Sequence, residues 1–191
     1  MTSDINVASS KAPSANELRA FWRDPANYAG GWKGRSEIAA GLIRVDESRI
    51  CEIGCGPLFL FRQCLPRRIH YVAADLHAWT DEVLHCDLNR GELPAEALAT
   101  SDVTVLLGVL EYVFDLDDVF SRLGRHCPSL VTSYCSTDAG GSRQPMWVNH
   151  LSLSELIGLV RRHHFLIENA VAYKSGQYVL RLQNLNTQRS R

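Results

Sequence analysis

The run Arg49-Ile50-Cys51-Glu52-Ile53-Gly54-Cys55-Gly56-Pro57-Leu58 limits what this chain can fold into more than any other stretch. Ile50, Cys51 and Ile53 make a short segment with no polar face, the pattern of a strand covered on both sides in a parallel sheet. Glu52 in its middle is costly to bury as a charge and so demands a partner or a purpose. Gly54 and Gly56 permit a tight turn and a close approach of backbone to a ligand. Pro57 suits the first position of a helix capped by Gly56. The expectation is a strand over 48–53, a glycine turn and a helix over 57–65.

At 191 residues the chain has material for one sizeable core. Lys and Arg number 20 against 21 Asp and Glu, so no overall field draws in nucleic acid or an anionic membrane. The clusters Arg67-Arg68 and Arg161-Arg162-His163-His164 are short and read as solvated faces. Apolar segments fall short of a membrane span, and residues 1–15 lack a signal peptide's apolar core. A soluble cytoplasmic protein is expected, with neither nucleic acid nor membrane as partner and its oligomeric state open. The six cysteines show no C-x-x-C spacing, which points to buried reduced thiols and to no metal site.

Residues 1–13 are small and polar and read as a disordered tail, and 185–191 as a polar C-terminal tail. Between them, 14–35 read as an N-terminal helix and a lid-like loop, and 36–184 as the main domain. Ser14 and Glu17 have the spacing of a capping box, and Pro25 ends the helix that follows. Tyr28 and Trp32 stand in a glycine-rich loop with Arg35, either as a surface anchor or as a cover over a ligand. A helix is expected over 36–43, then strands over 48–53, 69–74 and 83–86. Only eleven residues separate Asp75 from Asp87, too few for a crossover helix, so the connection between the second and third strands is shortened. Asp102 to Tyr112 carries the fourth strand and its exit. Leu116, Val119, Phe120 and Leu123 repeat with helical spacing. A strand over 130–134 leads into a long polar loop, and Ser152 with Glu155 opens the last helix through a second capping box. Phe165 to Tyr173 and Gln177 to Leu182 close the chain as a hairpin. The fold class is α/β: a doubly wound, mostly parallel seven-strand sheet with an antiparallel last strand and helices on both faces.

Two ligand classes use a turn like that of Gly54 and Gly56. The dinucleotide fingerprint needs a third small residue and free amides, and here Phe59 and Pro57 stand against it. An acid two residues before the first glycine resembles instead the opening motif of class I S-adenosylmethionine-dependent methyltransferases, E/D-x-G-x-G-x-G, with Leu58 in place of the third glycine. The resemblance extends over 36–184 through Asp75 leaving the second strand, Cys86-Asp87-Leu88-Asn89 after the third, and Asp102 to Val113 as the central strand. It implies S-adenosylmethionine as cofactor. Glu52, Gly54, Cys55 and Gly56 would lie along its methionyl part, Asp75 and Leu76 at the ribose, and Asp87 and Leu88 at the adenine. Gly108 and Trp32 would complete the cofactor's surroundings. Tyr28, Glu111 and His150 are the candidates near the acceptor, although Glu111 also reads as a helix-start carboxylate and His150 as a cap. No unambiguous base is present. The implied activity is methyl transfer to a small-molecule acceptor such as a metabolite, natural product or sugar-like group. The alternative is a non-catalytic module of the same fold that binds a protein partner.

Overall fold

A computed structural model describes residues 12–28, 30–139, 143–174 and 176–187. Most of the expected N-terminal tail, Ala29 of the lid-like loop, residues 140–142 of the long polar loop, Ser175 of the last hairpin and 188–191 lie outside these. Five α-helices and seven strands follow one another along the described chain: α1 Ala15–Arg23, α2 Lys33–Gly41, β1 Arg49–Ile53, β2 His70–Asp75, β3 Leu84–His85, α3 Ala95–Thr100, β4 Val103–Leu106, α4 Leu116–His126, β5 Ser129–Cys135, α5 Leu153–Arg162, β6 Phe165–Tyr173 and β7 Gln177–Asn184.

The strands form one sheet in the order β3-β2-β1-β4-β5-β7-β6. Its first five strands are parallel, and β7 runs antiparallel to both β5 and β6. The period-2 alternation of side chains divides the core in two. Ile50, Val103, Val105, Val131 and Val179 face Ala39 of α2. Cys51, Leu106, Leu130, Leu180 and Leu182 face α3, α4 and α5. On the α3–α5 face Phe120 and Phe165 meet edge to face at 6.1 Å.

The helix expected over 57–65 is absent. The segment turns irregularly, with only Arg62–Cys64 as a 3-10 turn. Phe59 lies in the left-handed region at φ 47°, which a helix cannot accommodate. The cause is packing: Phe59 packs with Cys55, Ala73 and Val83, Phe61 joins the α2 side of the core, and Leu58 and Leu60 face the cleft described below. Four consecutive apolar residues with different destinations cannot share one helix face. The β2–β3 connection is short and non-helical, as its length requires, and β3 is only two residues long. Helix α3 fills the return from β3 to β4.

Both capping boxes form. Ser14 Oγ accepts from the Glu17 amide at 3.3 Å while Glu17 accepts from the Ser14 amide at 2.6 Å, and Ser152 and Glu155 do the same at the start of α5. The six cysteines are free thiols, with Cys51, Cys55, Cys86 and Cys127 buried. Among the described residues no helix is long and apolar enough to cross a membrane.

Candidate functional site

The carboxyl ends of β1 to β4 open onto one cleft, where a doubly wound sheet binds its ligands. Gly54 and Gly56 leave β1 at φ 83° and 61°. A Cβ on Gly54 would lie 2.3 Å from Val109 Cγ2, and one on Gly56 2.9 Å from Tyr28 Cε1. The turn is thus pressed between the exit of β4 and an aromatic ring of the N-terminal segment, and only glycine fits either position.

Asp75 fastens this turn to β2. Its Oδ2 accepts from the Gly56 amide at 2.9 Å and its Oδ1 from the His77 amide at 3.1 Å. Burial pushes its carboxyl above the ordinary carboxylate value, and the two amides pull it back. Each of its oxygens still has acceptor capacity left for a ligand.

Glu52 is 3% exposed and accepts from the Tyr71 hydroxyl. Burial pushes its carboxyl up to about 8; the Tyr71 hydrogen bond opposes this, nearby Asp75 adds to it, and Arg35 opposes it. The folded protein therefore retains a proton that the unfolded chain, with a value near 4.5, gives up. The stability that neutral Glu52 confers is complete below about 4.5, erodes as pH rises through that window and is lost above about 8. Glu52→Gln, uncharged throughout, is expected to flatten this part of the profile and to melt above the wild type at alkaline pH. Thermal melts across the window check this, and a profile with the wild-type slope would contradict it.

Asp87, 4% exposed, pairs with Arg19 of α1 at 2.7 Å and caps the following turn through the Asn89 amide at 3.0 Å. Asn89 in turn joins this segment to the β4 exit, donating to the Tyr112 carbonyl and accepting from the Phe114 amide, each at 2.9 Å. Gly108, at φ 69°, donates to Ser133 Oγ at 2.8 Å and lies beneath the Arg35 guanidinium. Across the mouth Trp22 contacts Tyr28 at 5.0 Å and Tyr112 at 4.8 Å, so α1 closes one side with aromatic rings. The Tyr28 hydroxyl donates to the Trp22 carbonyl at 3.1 Å, and burial raises its pKa far above the ordinary phenol value.

No protein-family model matches the chain, and no curated protein matches it. Solved structures do. One is the pyocyanin biosynthetic protein PhzM, at 15% identity and TM-score 0.59, covering 78% of this chain and 54% of that one. Human N-acetylserotonin methyltransferase, solved in complex with SAM, aligns at 14% identity and TM-score 0.65 over 91% of this chain and 60% of its own. A SAM dependent methyltransferase from Aquifex aeolicus aligns at 13% and TM-score 0.64 over 85% and 99%. The chain thus spans between half and two thirds of the first two. The fold is that of the class I S-adenosylmethionine-dependent methyltransferases.

Within this methyltransferase fold, every residue expected around the cofactor lines the cleft, from Glu52 and the glycine turn through Asp75-Leu76 and Asp87-Leu88 to Gly108 and Trp32. Tyr28 lines it too. Glu111 and His150 do not. Glu111 is 1% exposed, and its Oε1 accepts from the Cys135 amide at 2.8 Å, tying the β4 exit to the end of β5. His150 is exposed, and its Nδ1 accepts from Arg143 Nε at 3.0 Å. Partial burial and the Arg143 charge both lower its pKa. Leu18 and Trp22 of α1 also line the cleft, and Arg19 of α1 covers it at Asp87, a role no sequence motif marks. The spacing of Leu18 and Trp22 marks an apolar helix face, but nothing local marks what that face covers.

Proposed function

We propose that the protein transfers the methyl group of S-adenosylmethionine to a small-molecule acceptor in this cleft. The observation that carries the reading is convergence. A left-handed glycine turn, an acid at the end of β2, an acid after β3 and a glycine at the β4 exit come from four separate stretches and line one cavity. Bound there, S-adenosylmethionine supplies an activated methyl group on a sulfonium, so the protein's task is chiefly positioning.

Each residue has a matching part. The Gly54–Gly56 turn lets backbone approach the methionyl chain. Asp75 accepts from the ribose hydroxyls with its remaining lone pairs. Asp87 accepts from the exocyclic amine of the adenine, and Leu76 and Leu88 flank the nucleoside. Residues 14–35 serve as a lid on the domain of 36–184, with Trp22, Tyr28 and Tyr112 bounding the acceptor side.

The acceptor that fits is one that ionises without help. Glu52 is held by Tyr71, Asp75 by two amides, Asp87 by Arg19, and the Tyr28 hydroxyl donates to a carbonyl. An amine, thiolate, carboxylate or acidic phenol needs alignment more than a base.

Calorimetric titration with S-adenosylmethionine and S-adenosylhomocysteine tests the reading. Micromolar binding of both is expected. A folded protein that binds neither would overturn the proposal and point to a partner-binding module.

A further inference from the structure

We infer that Arg35 is an anchor for a carboxylate bound inside the cleft, an inference that rests on the methyltransferase reading. Arg35 lies in the first turn of α2, is 8% exposed and lines the cavity. Its Nε is buried without a partner, and among the described residues no hydrogen bond or ion pair reaches the guanidinium. Trp32 packs on it at 5.3 Å, and a Cβ on Gly108 would lie 2.3 Å from its Nη1. The cation is therefore held in place by an aromatic face and a glycine, not by an anion.

Arg181, also buried, contrasts with it: that guanidinium is bound by Glu47, Glu168 and the Leu42 carbonyl. A buried cation with no counterion is a destabilising feature unless something completes it. Burial itself works against the Arg35 charge, and the largest influence in its favour, from Glu111, comes from beyond ion-pair distance. A guanidinium presents parallel donors that match a carboxylate. Burial pushes both nearby acids, Glu52 and Glu111, toward their neutral forms, so the single guanidinium charge is matched by one carboxylate and exceeded by a phosphate dianion.

Two molecules can bring that carboxylate: the cofactor, through its aminoacyl end, or the acceptor. Titrations of the full chain and of its Arg35→Gln and Arg35→Lys variants separate them. The ligands are S-adenosylhomocysteine, 5′-methylthioadenosine, which lacks the aminoacyl group, and benzoate added to protein saturated with S-adenosylhomocysteine. If the cofactor supplies the carboxylate, Arg35→Gln weakens S-adenosylhomocysteine at least about tenfold, leaves methylthioadenosine unchanged, and Arg35→Lys restores part of the loss. If the acceptor supplies it, S-adenosylhomocysteine is held equally, and the wild type binds benzoate while Arg35→Gln does not. Either result upholds the anchor.

Circular dichroism and the melting temperature of the ligand-free variants provide the control. Removing an unpaired buried charge should leave the melting temperature equal to or above the wild type, whereas a structural arginine would lower it. Unchanged affinities for both carboxylates overturn the inference. A wild type that binds neither S-adenosylhomocysteine nor methylthioadenosine overturns the cofactor reading instead. In that case benzoate is offered to the ligand-free protein: binding lost in Arg35→Gln still upholds the anchor, and no binding overturns it as well.

Discussion

Replacing Arg181 by alanine is expected to destabilise the protein by about 3–5 kcal/mol, the range found when one partner of a buried ion pair is removed. Its side chain is 4% exposed on β7, facing the α2 side of the sheet. Nη2 meets Glu47 Oε1 at 2.5 Å and Nη1 meets Glu47 Oε2 at 3.0 Å, a two-pronged contact, while Nε meets Glu168 Oε2 at 3.0 Å. Nη1 also donates to the Leu42 carbonyl at 2.9 Å, so one guanidinium joins β7, β6 and the end of α2. Truncation would strand Glu47 as a buried, uncompensated charge and release the carbonyl that terminates α2. For a chain of this size the melting temperature should fall by roughly 2–4 °C per kcal/mol. Urea or thermal denaturation measures the loss. The double variant Arg181→Met with Glu47→Met should lose clearly less, because both charges leave together. Equal losses would show that packing, not the stranded charge, sets the cost.

The second large effect is on binding. Asp75→Ala is expected to weaken S-adenosylhomocysteine at least about 100-fold, since hydrogen bonds to a charged group contribute about 1.5–3 kcal/mol each and the ribose offers two hydroxyls. The same carboxylate fastens the Gly56 and His77 amides, so the variant also loosens the turn that would carry the methionyl chain. Asp75→Asn keeps one oxygen acceptor and should fall between the two. Calorimetry decides: an Asp75→Ala protein that is folded and binds like the wild type would remove Asp75 from the site.

These residues were legible in the sequence because their signals are local. An apolar run broken by Glu52 and ended by glycines marks a buried strand and its turn, and Asp75 and Asp87 stand where the family resemblance expects an acid after the second and third strands. The expected helix over 57–65 failed for an equally physical reason. Pro57 and a run of apolar residues suit a helix, but Leu58, Phe59, Leu60 and Phe61 are claimed by different neighbours, and tertiary burial overrides local preference. Helix α3 is six residues long and too short to show a period.

Pairings made across the fold were the least readable. One oxygen of Glu111 accepts from an amide on β5, and His150 accepts from Arg143 within the loop before α5. Arg19 meets Asp87 from 68 residues away. In each case the partner, not the residue type, decides the role, and only the folded chain reveals the partner.

A crystal structure of the protein with S-adenosylhomocysteine would show whether the cleft holds the cofactor product. The ribose is expected on Asp75, the adenine beside Asp87 and Leu88, and the aminoacyl chain along Gly54–Gly56. A product molecule seated anywhere else, or a cleft that stays closed under α1 at saturating ligand, would contradict that placement.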